Sequence, residues 1–218
     1  MAPTASDFTG LDRFQALWQR NLTDGAIDNS SAIHQRLLAG YSESQRHYHT
    51  LEHIDHCLAR FEECKALVSE PDALEIAIWM HDVILVSGRP DNEALSAQLY
   101  LELSKGVQHD EMRQLVSRLI MATLHNGESL DDADAIYMVD IDLSSFGLPW
   151  DDFLRDSLNI RAENQHLCDR DYQLNQTRFQ QGLLARPRFF LSDFFFDRYE
   201  KQARDNLARY FEYQRDSG

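Results

Sequence analysis

Apolar residues recur along this chain mostly at spacings of three and four, the period of an amphipathic α-helix. Leu11, Phe14, Leu17 and Trp18 set this pattern in the first stretch, which predicts a helix over residues 7–22. No run rich in Val, Ile and Thr alternates in the manner of a strand. The further predicted helices cover Asn29 or Ser30 to Leu38, then 51–68, 71–86, 93–104, 109–124, 133–146, 150–167, 170–185 and 193–214.

Capping and breaking residues mark the ends of these helices. Thr50 is a favoured N-cap, and Pro71 suits the first position of a helix. The other predicted boundary marks are Gly40, Ser87-Gly88-Arg89-Pro90, Asp91 as an N-cap, Gly106, Asn126-Gly127, Gly147 and Pro187. We therefore expect an all-α fold, a single-domain helical bundle over residues 1–218.

The most apolar stretch is residues 75–86, EIAIWMHDVILV, which leaves no polar stripe. A helix that is apolar all round belongs inside a protein. His81 and Asp82 nevertheless lie side by side in its middle, and no Lys or Arg occurs between Lys65 and Arg89. An unpaired buried carboxylate costs several kcal/mol. The pair is therefore expected to form a His–Asp hydrogen bond, to meet a distant Arg, or to bind a metal ion.

Four histidines, His47, His49, His53 and His56, precede this stretch within ten residues. His49 and His53 are four apart and would share one face of a helix. A solvated polar face is the simpler interpretation of any one of them. Together with a buried His-Asp pair on the next helix, they form a cluster suited to a divalent cation.

A further ligand is expected from VDIDLSSFG, which holds Asp140 and Asp142. At about 100° per residue the two aspartates lie on opposite flanks of the apolar side of this helix. Helical geometry does not choose between them, but it indicates that one site does not take both.

The amino-acid composition argues against some classes of binding partner. The 218 residues include 36 Asp and Glu against 21 Lys and Arg, a formal charge of −15. Such a charge repels nucleic acids, so no nucleic-acid polymer is expected as a partner. A small phosphorylated substrate stays compatible, because a metal ion and a few Arg can reverse the potential of one cleft. No apolar segment of about 18 residues and no signal-peptide pattern occur, so we expect a cytoplasmic protein without a membrane partner.

Seven short motifs follow one another between residues 46 and 207: RHYHTLEHI (46–54), WMHDVI (79–84), DNEALSA (91–97), ATLH (122–125), VDIDLS (139–144), IRAE (160–163) and ARDNL (203–207). In this order they resemble the HD-domain superfamily of metal-dependent phosphohydrolases, and most closely the bacterial branch described as predicted HD phosphohydrolases. The resemblance implies a helical domain of the HD type. Leu85 and Asn164 stand where Tyr is common in that branch, two departures that bear on substrate choice.

The resemblance also implies a ligand set for a divalent ion (Mn, Fe, Co, Ni, Zn or Mg), with a second ion left open: His53, His81, Asp82 and Asp142. A further similarity, to cyclic-nucleotide phosphodiesterases, rests on Tyr48-His49, His53 and Asp142-Leu143-Ser144. It favours Asp142 as the ligand and leaves Asp140 just behind it. It also makes His49 the donor of a proton to the leaving oxygen.

Other residues of these motifs are candidates for supporting roles. Arg46 is expected to steer a phosphate at the cleft mouth, or else to be a surface residue. Asp91 and Glu93 are expected to orient water, with the N-cap as the alternative for Asp91. His125 is expected to contact substrate, to bind a second metal ion, or to lie at a helix C-terminus favoured by the dipole. Arg161 is expected to bind substrate or to pair with a neighbouring Glu.

The expected activity is hydrolysis of a phosphoester of a small metabolite or nucleotide by metal-activated water. One alternative is a di-iron oxygenase of the HD type, which would need further ligands such as His109 or His125. Another is a module that binds metal and nucleotide without turnover. The aromatic run at 189–196 is expected to be core or an oligomer contact, which leaves a homodimer open.

Overall fold

The computed structural model describes residues 10–125 and 130–216. Short 3₁₀ turns follow the third and seventh helices, at Lys65–Leu67 and Leu143–Gly147, and these two ranges contain no strand. The all-helical, single-domain prediction is therefore confirmed. The α-helices are α1 (Leu11–Gln19), α2 (Ser30–Tyr41), α3 (Leu51–Cys64), α4 (Pro71–Met80), α5 (Asn92–Leu103), α6 (Asp110–Ala122), α7 (Ala133–Asp142), α8 (Trp150–Glu163), α9 (Asp169–Leu184) and α10 (Asp193–Asp216).

Helix α4 lies at the centre of the core. Every residue from Ala73 to Met80 is buried, and the helix packs against α1, α3, α5, α6 and α7. The one charged residue in this span, Glu75, accepts a hydrogen bond from Arg13 Nε at 2.7 Å. A helix without a polar stripe is stable only when all its faces are covered, because each exposed apolar face would contact water. The predicted burial of the stretch 75–86 is confirmed for residues 75–81, whereas Leu85 is half-buried and Val86 is exposed.

Helix α4 nevertheless ends earlier than its hydrophobicity predicts. The apolar pattern continues to Val86, but the helix stops at Met80, and His81 and Asp82 form the turn that follows. The prediction that these two residues lie in the middle of a helix is therefore wrong. They stand at its C-terminal end, where the chain turns away and both side chains are free to face the same point.

Side chains from distant parts of the chain hold this end of α4. The Tyr41 hydroxyl donates to the carbonyl of Trp79 at 2.9 Å. The Arg46 guanidinium donates to the carbonyls of Asp82 at 2.7 Å and Val83 at 3.0 Å. The last carbonyls of a helix have no partner within the helix. These contacts supply partners from outside, which a local hydrophobicity pattern does not reveal.

The same turn accounts for Gly40, which was predicted to end α2. Helix α2 instead continues through Gly40 to Tyr41. A Cβ atom at position 40 would lie 2.8 Å from the carbonyl oxygen of Val83. The glycine therefore permits a close approach of two chain segments rather than a helix stop.

Helix α3 begins at Leu51, and the Thr50 hydroxyl accepts a hydrogen bond from the Glu52 N–H at 3.3 Å. The predicted N-cap is confirmed. His49 therefore precedes the helix, so the prediction that it shares a helix face with His53 is wrong. The two rings still lie 5.8 Å apart between centroids, because the turn before α3 brings His49 to the same side.

The remaining boundaries differ from the predicted ones by a few residues. The predicted start of α1 at residue 7 and the stop signal Asn126-Gly127 lie outside the described residues. Cys57 and Cys64 are buried and not disulfide-bonded. In the aromatic run at 189–196, Phe189, Phe190 and Phe195 are fully buried, so this run belongs to the core and a homodimer stays a prediction. No described helix is both long enough and apolar enough to span a bilayer.

Candidate metal centre

Four side chains from three separate segments of the chain converge on one point. His53 comes from the buried face of α3, His81 and Asp82 from the turn after α4, and Asp142 from the last residue of α7. One nitrogen or oxygen atom from each lies within 4.8 Å of the corresponding atoms of the others. The structure thus brings together the four residues predicted as metal ligands.

The distances within this cluster fit a shared ion. Ligands at right angles around an ion, each about 2.1 Å from it, stand about 3 Å apart. His81 Nε2 lies 3.0 Å from Asp82 Oδ2, and His53 Nε2 lies 3.2 Å from Asp142 Oδ1. Two imidazoles and two carboxylates form a donor set for a hard or borderline divalent cation.

The outer contacts of His81 orient its ring for binding. Its Nδ1 lies 2.9 Å from the carbonyl oxygen of Ile78, which assigns the proton of the neutral ring to Nδ1. The lone pair of Nε2 then faces the cluster. A hydrogen bond of this kind to a backbone carbonyl fixes the tautomer and orientation of metal-binding histidines. Another member of the histidine-rich segment, His56, bonds the Ser144 hydroxyl instead, with its Nε2 2.8 Å from Ser144 Oγ.

The electrostatics of the cluster favour bound cations. Burial would raise the pKa of Asp82, yet His81 and His49 bring it below its usual range. Burial acts on Asp142 in the same way, and hydrogen bonds from the surrounding histidines hold its pKa well below the usual value. Within the described residues, the ion pairs of both carboxylates are all with histidines. The predicted His–Asp contact therefore exists, with His81 Nε2 3.0 Å from Asp82 Oδ2, and two half-buried carboxylates converge there.

Asp140 serves another part of the fold. Its carboxylate accepts hydrogen bonds from the N–H groups of Leu191 and Ser192 at 2.8 and 2.7 Å, and from the Ser192 hydroxyl at 2.6 Å. It is fully buried beside the segment that leads into α10. The prediction that Asp140 lies just behind the metal ligand is therefore wrong. Asp140 joins α7 to the start of α10.

His49 stands beside the cluster and is held by Glu163. His49 Nδ1 lies 2.6 Å from Glu163 Oε2, and its Nε2 lies 4.0 Å from Asp82 Oδ2. Glu163 Oε1 also accepts the N–H groups of His47, Tyr48 and His49, each at 2.8 Å. Burial lowers the pKa of His49, but Asp82 and Glu163 outweigh it and the pKa lies above its ordinary value. A protonated His49 can therefore face the cluster.

Arg161 does not take the place predicted for it. Its guanidinium donates to Asp169 at 2.6 Å and to the carbonyl of Asn164 at 2.8 Å, and lies over the ring of Tyr172. It therefore closes the C-terminal end of α8 instead of pairing with Glu163 or binding substrate.

Arg46 is likewise committed to the fold. Its side chain is fully buried, and it donates to the carbonyls of His49, Asp82 and Val83 and to the carboxylate of Glu43. The two predictions for Arg46, a phosphate-steering residue at the cleft mouth and a surface arginine, are therefore both wrong. Arg46 fixes the segment that carries His49 against the turn that carries Asp82.

His125 reaches the cluster from the end of α6. Its Nε2 lies 2.8 Å from Asp142 Oδ2, on the carboxylate whose other oxygen faces His53. Its backbone has a positive φ of 49°. Its Nδ1 is buried and has no hydrogen-bond partner among the described residues. His125 therefore orients a metal ligand and keeps one ring nitrogen available.

The two acidic residues at the start of α5 differ. Asp91 stands at the N-cap position without a capping hydrogen bond, and Arg89 donates to both its oxygens at 2.7 and 2.6 Å. Glu93 is half-buried, and burial together with the nearby carboxylates of Asp82 and Asp142 raises its pKa. Glu93 is thus within the electrostatic influence of the cluster, whereas Asp91 is engaged with an arginine.

Two cavities are lined by neighbours of the cluster rather than by its four members. The first, of about 350 Å³, is lined by His49 and Glu163 and includes Leu85 and Asn164, the two positions expected to bear on substrate choice. The second, of about 430 Å³, is lined on one side by His125. Its other lining residues include two arginines, Arg178 and Arg186.

Sequence reasoning missed the roles of three residues. Glu163 belongs to the IRAE motif, so its motif membership was a usable signal, but its partner was predicted within the motif rather than 114 residues away at His49. Arg178 and Arg186 had no signal, because neither α9 nor the segment that follows it carries a motif and only the fold brings them near His125.

Comparison with known proteins adds no family to this geometry. A scan against protein-family models, a search of curated proteins and a search of solved structures each found no match to this chain.

Proposed function

We propose that this chain is a metal-dependent phosphohydrolase that cleaves a phosphoester of a small metabolite or nucleotide in the cytoplasm. The observation that supports it most is the convergence of His53, His81, Asp82 and Asp142 within 4.8 Å of one another. Two neutral imidazoles and two carboxylates leave positions of an octahedral ion free for water and a phosphoryl oxygen. The two cavities are lined by His49 and by His125, which lie next to the cluster.

The four ligands would hold Mn, Fe, Co, Ni, Zn or Mg. A divalent ion supplies acidified water near neutral pH and polarises the phosphoryl group. The chain itself supplies the orientation: the Ile78 carbonyl turns His81, and His125 turns Asp142. These contacts fix the ligand atoms before any ion arrives, which lowers the ordering cost of binding.

His49 is proposed as the general acid. When water attacks phosphorus, the bond from phosphorus to the ester oxygen breaks and its electron pair stays on that oxygen. His49 delivers a proton there, giving a neutral alcohol, and regains one from solvent. Glu163 is a positioning residue, because it holds Nδ1 and thereby leaves Nε2 to face the reacting group.

The phosphoryl group needs positive charge besides the ion, since the chain as a whole carries −15. Arg178 and Arg186 line the cavity that His125 borders, and they are proposed to attract the phosphate. Glu93, whose pKa is raised by burial and by the carboxylates of Asp82 and Asp142, is proposed to orient water.

A screen of phosphorylated metabolites tests the proposal. Protein stripped of metal is reloaded with Mn²⁺, Co²⁺, Ni²⁺, Mg²⁺ or Zn²⁺, and released phosphate is measured. We expect release with at least one ion, its loss in His81→Ala, and its retention in His109→Ala, a matched change at an exposed histidine.

Two results would contradict hydrolysis. Metal binding without phosphate release from any ester, together with a nucleotide that survives incubation, would indicate a binding module. Uptake of oxygen and an iron content that matches a di-iron centre would indicate an oxygenase, with His125 as the nearest additional ligand.

A further inference from the structure

The cavity beside His49 has an unusual lining for so acidic a chain. It measures about 350 Å³ and is formed by the segment before α3, the turn after α4, the end of α8 and one face of α9. Ligand sites range from about 300 to 1,000 Å³, so this cavity suits a single ring system rather than a polymer. Five of its lining residues carry side-chain amides: Gln45, Asn92, Asn164, Asn175 and Gln176.

The charges in this cavity are already neutralised. Arg89 donates to both carboxylate oxygens of Asp91, at 2.7 and 2.6 Å. Glu163 accepts three backbone N–H groups and faces His49 Nδ1. A ligand with its own charge would therefore find the charged groups of the described lining already paired.

The amides divide into two groups. Asn92 and Asn164 bond backbone groups of the turn after α4 and of α8, and Gln45 donates to Glu43. Asn175 and Gln176, both on α9, have no side-chain hydrogen bond to a residue in 10–125 or 130–216. An amide offers a donor and an acceptor together, which is the pattern that hydroxyl groups and neutral heterocycles match.

We propose that this cavity binds the alcohol part of the substrate, and that this alcohol is a neutral, hydroxyl-bearing ring such as a sugar or a nucleoside. The inference rests on the proposed phosphohydrolase function and names its substrate class. Asn175 and Gln176 bond the hydroxyl or ring polar groups, and Leu85, Leu167 and Pro90 cover the apolar face of the ring.

The position of His49 supports this orientation. His49 lines the cavity and also faces the metal ligand Asp82, so its proton donor stands between the ion and the amide-lined space. An ester with its phosphoryl group at the ion would place its leaving oxygen near His49 and its alcohol in this cavity. Cleavage then yields a neutral alcohol where no charge is required.

Matched substrates and variants test the inference on the full-length, metal-loaded protein. The substrates are a hexose phosphate and a nucleoside monophosphate, ADP as a phosphoanhydride whose leaving group, AMP, is anionic, and p-nitrophenyl phosphate, which has no hydroxyl on its ring. Gln176→Leu removes the free amide at similar size. Gln173→Leu is the control, since Gln173 is exposed on α9 and does not line the cavity.

We expect Gln176→Leu to lower kcat/KM roughly tenfold for phosphate esters of neutral, hydroxyl-bearing alcohols, because these substrates lose a hydrogen bond. For p-nitrophenyl phosphate, which makes no such bond, the decrease should be less than about twofold. Gln173→Leu should change neither. The hexose and nucleoside arms show which ring is bound. Equal effects on all substrates, or a preference for ADP, would overturn the inference.

Calorimetric titration with the free alcohols, glucose and the common nucleosides, separates the two claims without turnover. Binding that Gln176→Leu weakens supports the cavity assignment even if no ester is hydrolysed, in which case only the proposed function falls. Hydrolysis of p-nitrophenyl phosphate without binding of any of these alcohols rejects the cavity assignment and leaves the function standing. Absence of both rejects both.

Discussion

His49 and His53 are neighbours with different surroundings. His53 is buried, with its Nε2 3.2 Å from Asp142 and 3.5 Å from Asp82. His49 is one-quarter exposed at its side chain, and its Nδ1 is taken by Glu163. A metal ligand must lie close to the other ligands of the ion, here the two carboxylates, whereas a proton donor must be accessible to the substrate. These surroundings fit the proposed roles of His53 as a metal ligand and of His49 as an acid.

Alanine variants of these two histidines should separate the roles. His49→Ala should keep its metal and lose about 10²–10⁴ of kcat, the usual share of general acid catalysis. His53→Ala should lose metal and activity together. The loss of kcat in His49→Ala should be smaller with p-nitrophenyl phosphate, whose leaving group hardly needs a proton. Metal content and kcat on both variants check this, and loss of metal from His49→Ala would make His49 a ligand.

Glu163 should leave a signature in the pH dependence of stability. Burial would raise its pKa, but His49 and the backbone N–H groups bring it to about 2, against 4.5 for an exposed Glu. A lowered carboxyl pKa stabilises the fold above about 4.5, and this contribution is lost as pH falls toward 2. At about 1.4 kcal/mol per pKa unit, it amounts to at most roughly 3 kcal/mol.

The measurement is urea unfolding of metal-free wild type and Glu163→Gln between pH 7 and 3. The difference in free energy of unfolding between them should be largest near neutral pH and shrink as the pH falls. A difference that stays constant across this range would show that the His49–Glu163 contact does not hold the carboxylate ionised.

At the scale of elements, the C-terminal end of α7 serves two purposes. Asp142 faces the metal cluster, whereas Asp140 holds the N–H groups at the start of α10. We expect Asp142→Asn to lose metal without unfolding. Asp140→Asn should keep metal and lose roughly 1–3 kcal/mol of stability, because an amide NH₂ then faces a buried donor. Elemental analysis and urea unfolding of both variants decide this, and the reverse pattern would contradict the assignment.

Helix identity followed from periodicity, but helix ends did not. The apolar run to Val86 gave no sign that α4 stops at Met80. The stop depends on Arg46 and Tyr41, which bond the carbonyls of this turn from other elements. Gly40 was predicted to end a helix, but it allows a close contact with Val83 instead. Local sequence does not encode such non-local partners.

The four residues of the candidate metal cluster were predictable because motifs named them, and Asp142 was chosen over Asp140 by resemblance rather than by geometry. The arginines were not. Arg46 and Arg161 looked like substrate contacts by motif, yet both bond backbone carbonyls. Whether a cation faces a cleft or a carbonyl depends on packing between elements, and one sequence does not reveal it.

At the scale of the whole molecule, a bound ion should couple to stability. The cluster joins α3, the end of α4 and α7, so an ion held there ties three parts of the bundle together. A ligand at 100 times its Kd adds about 2.7 kcal/mol. Mn²⁺ should therefore raise the Tm of the wild type by several degrees and leave that of Asp142→Asn unchanged. Equal shifts in both proteins would place the ion elsewhere.

The central claim is that His53, His81, Asp82 and Asp142 hold a divalent ion, and elemental analysis tests it most directly. After loading and gel filtration, wild type should carry about one transition metal ion per chain, as expected for a single set of four protein ligands. Asp82→Ala should carry none, while Asp91→Ala, whose carboxylate is paired with Arg89, should match wild type. Full occupancy in a folded Asp82→Ala protein would contradict the account.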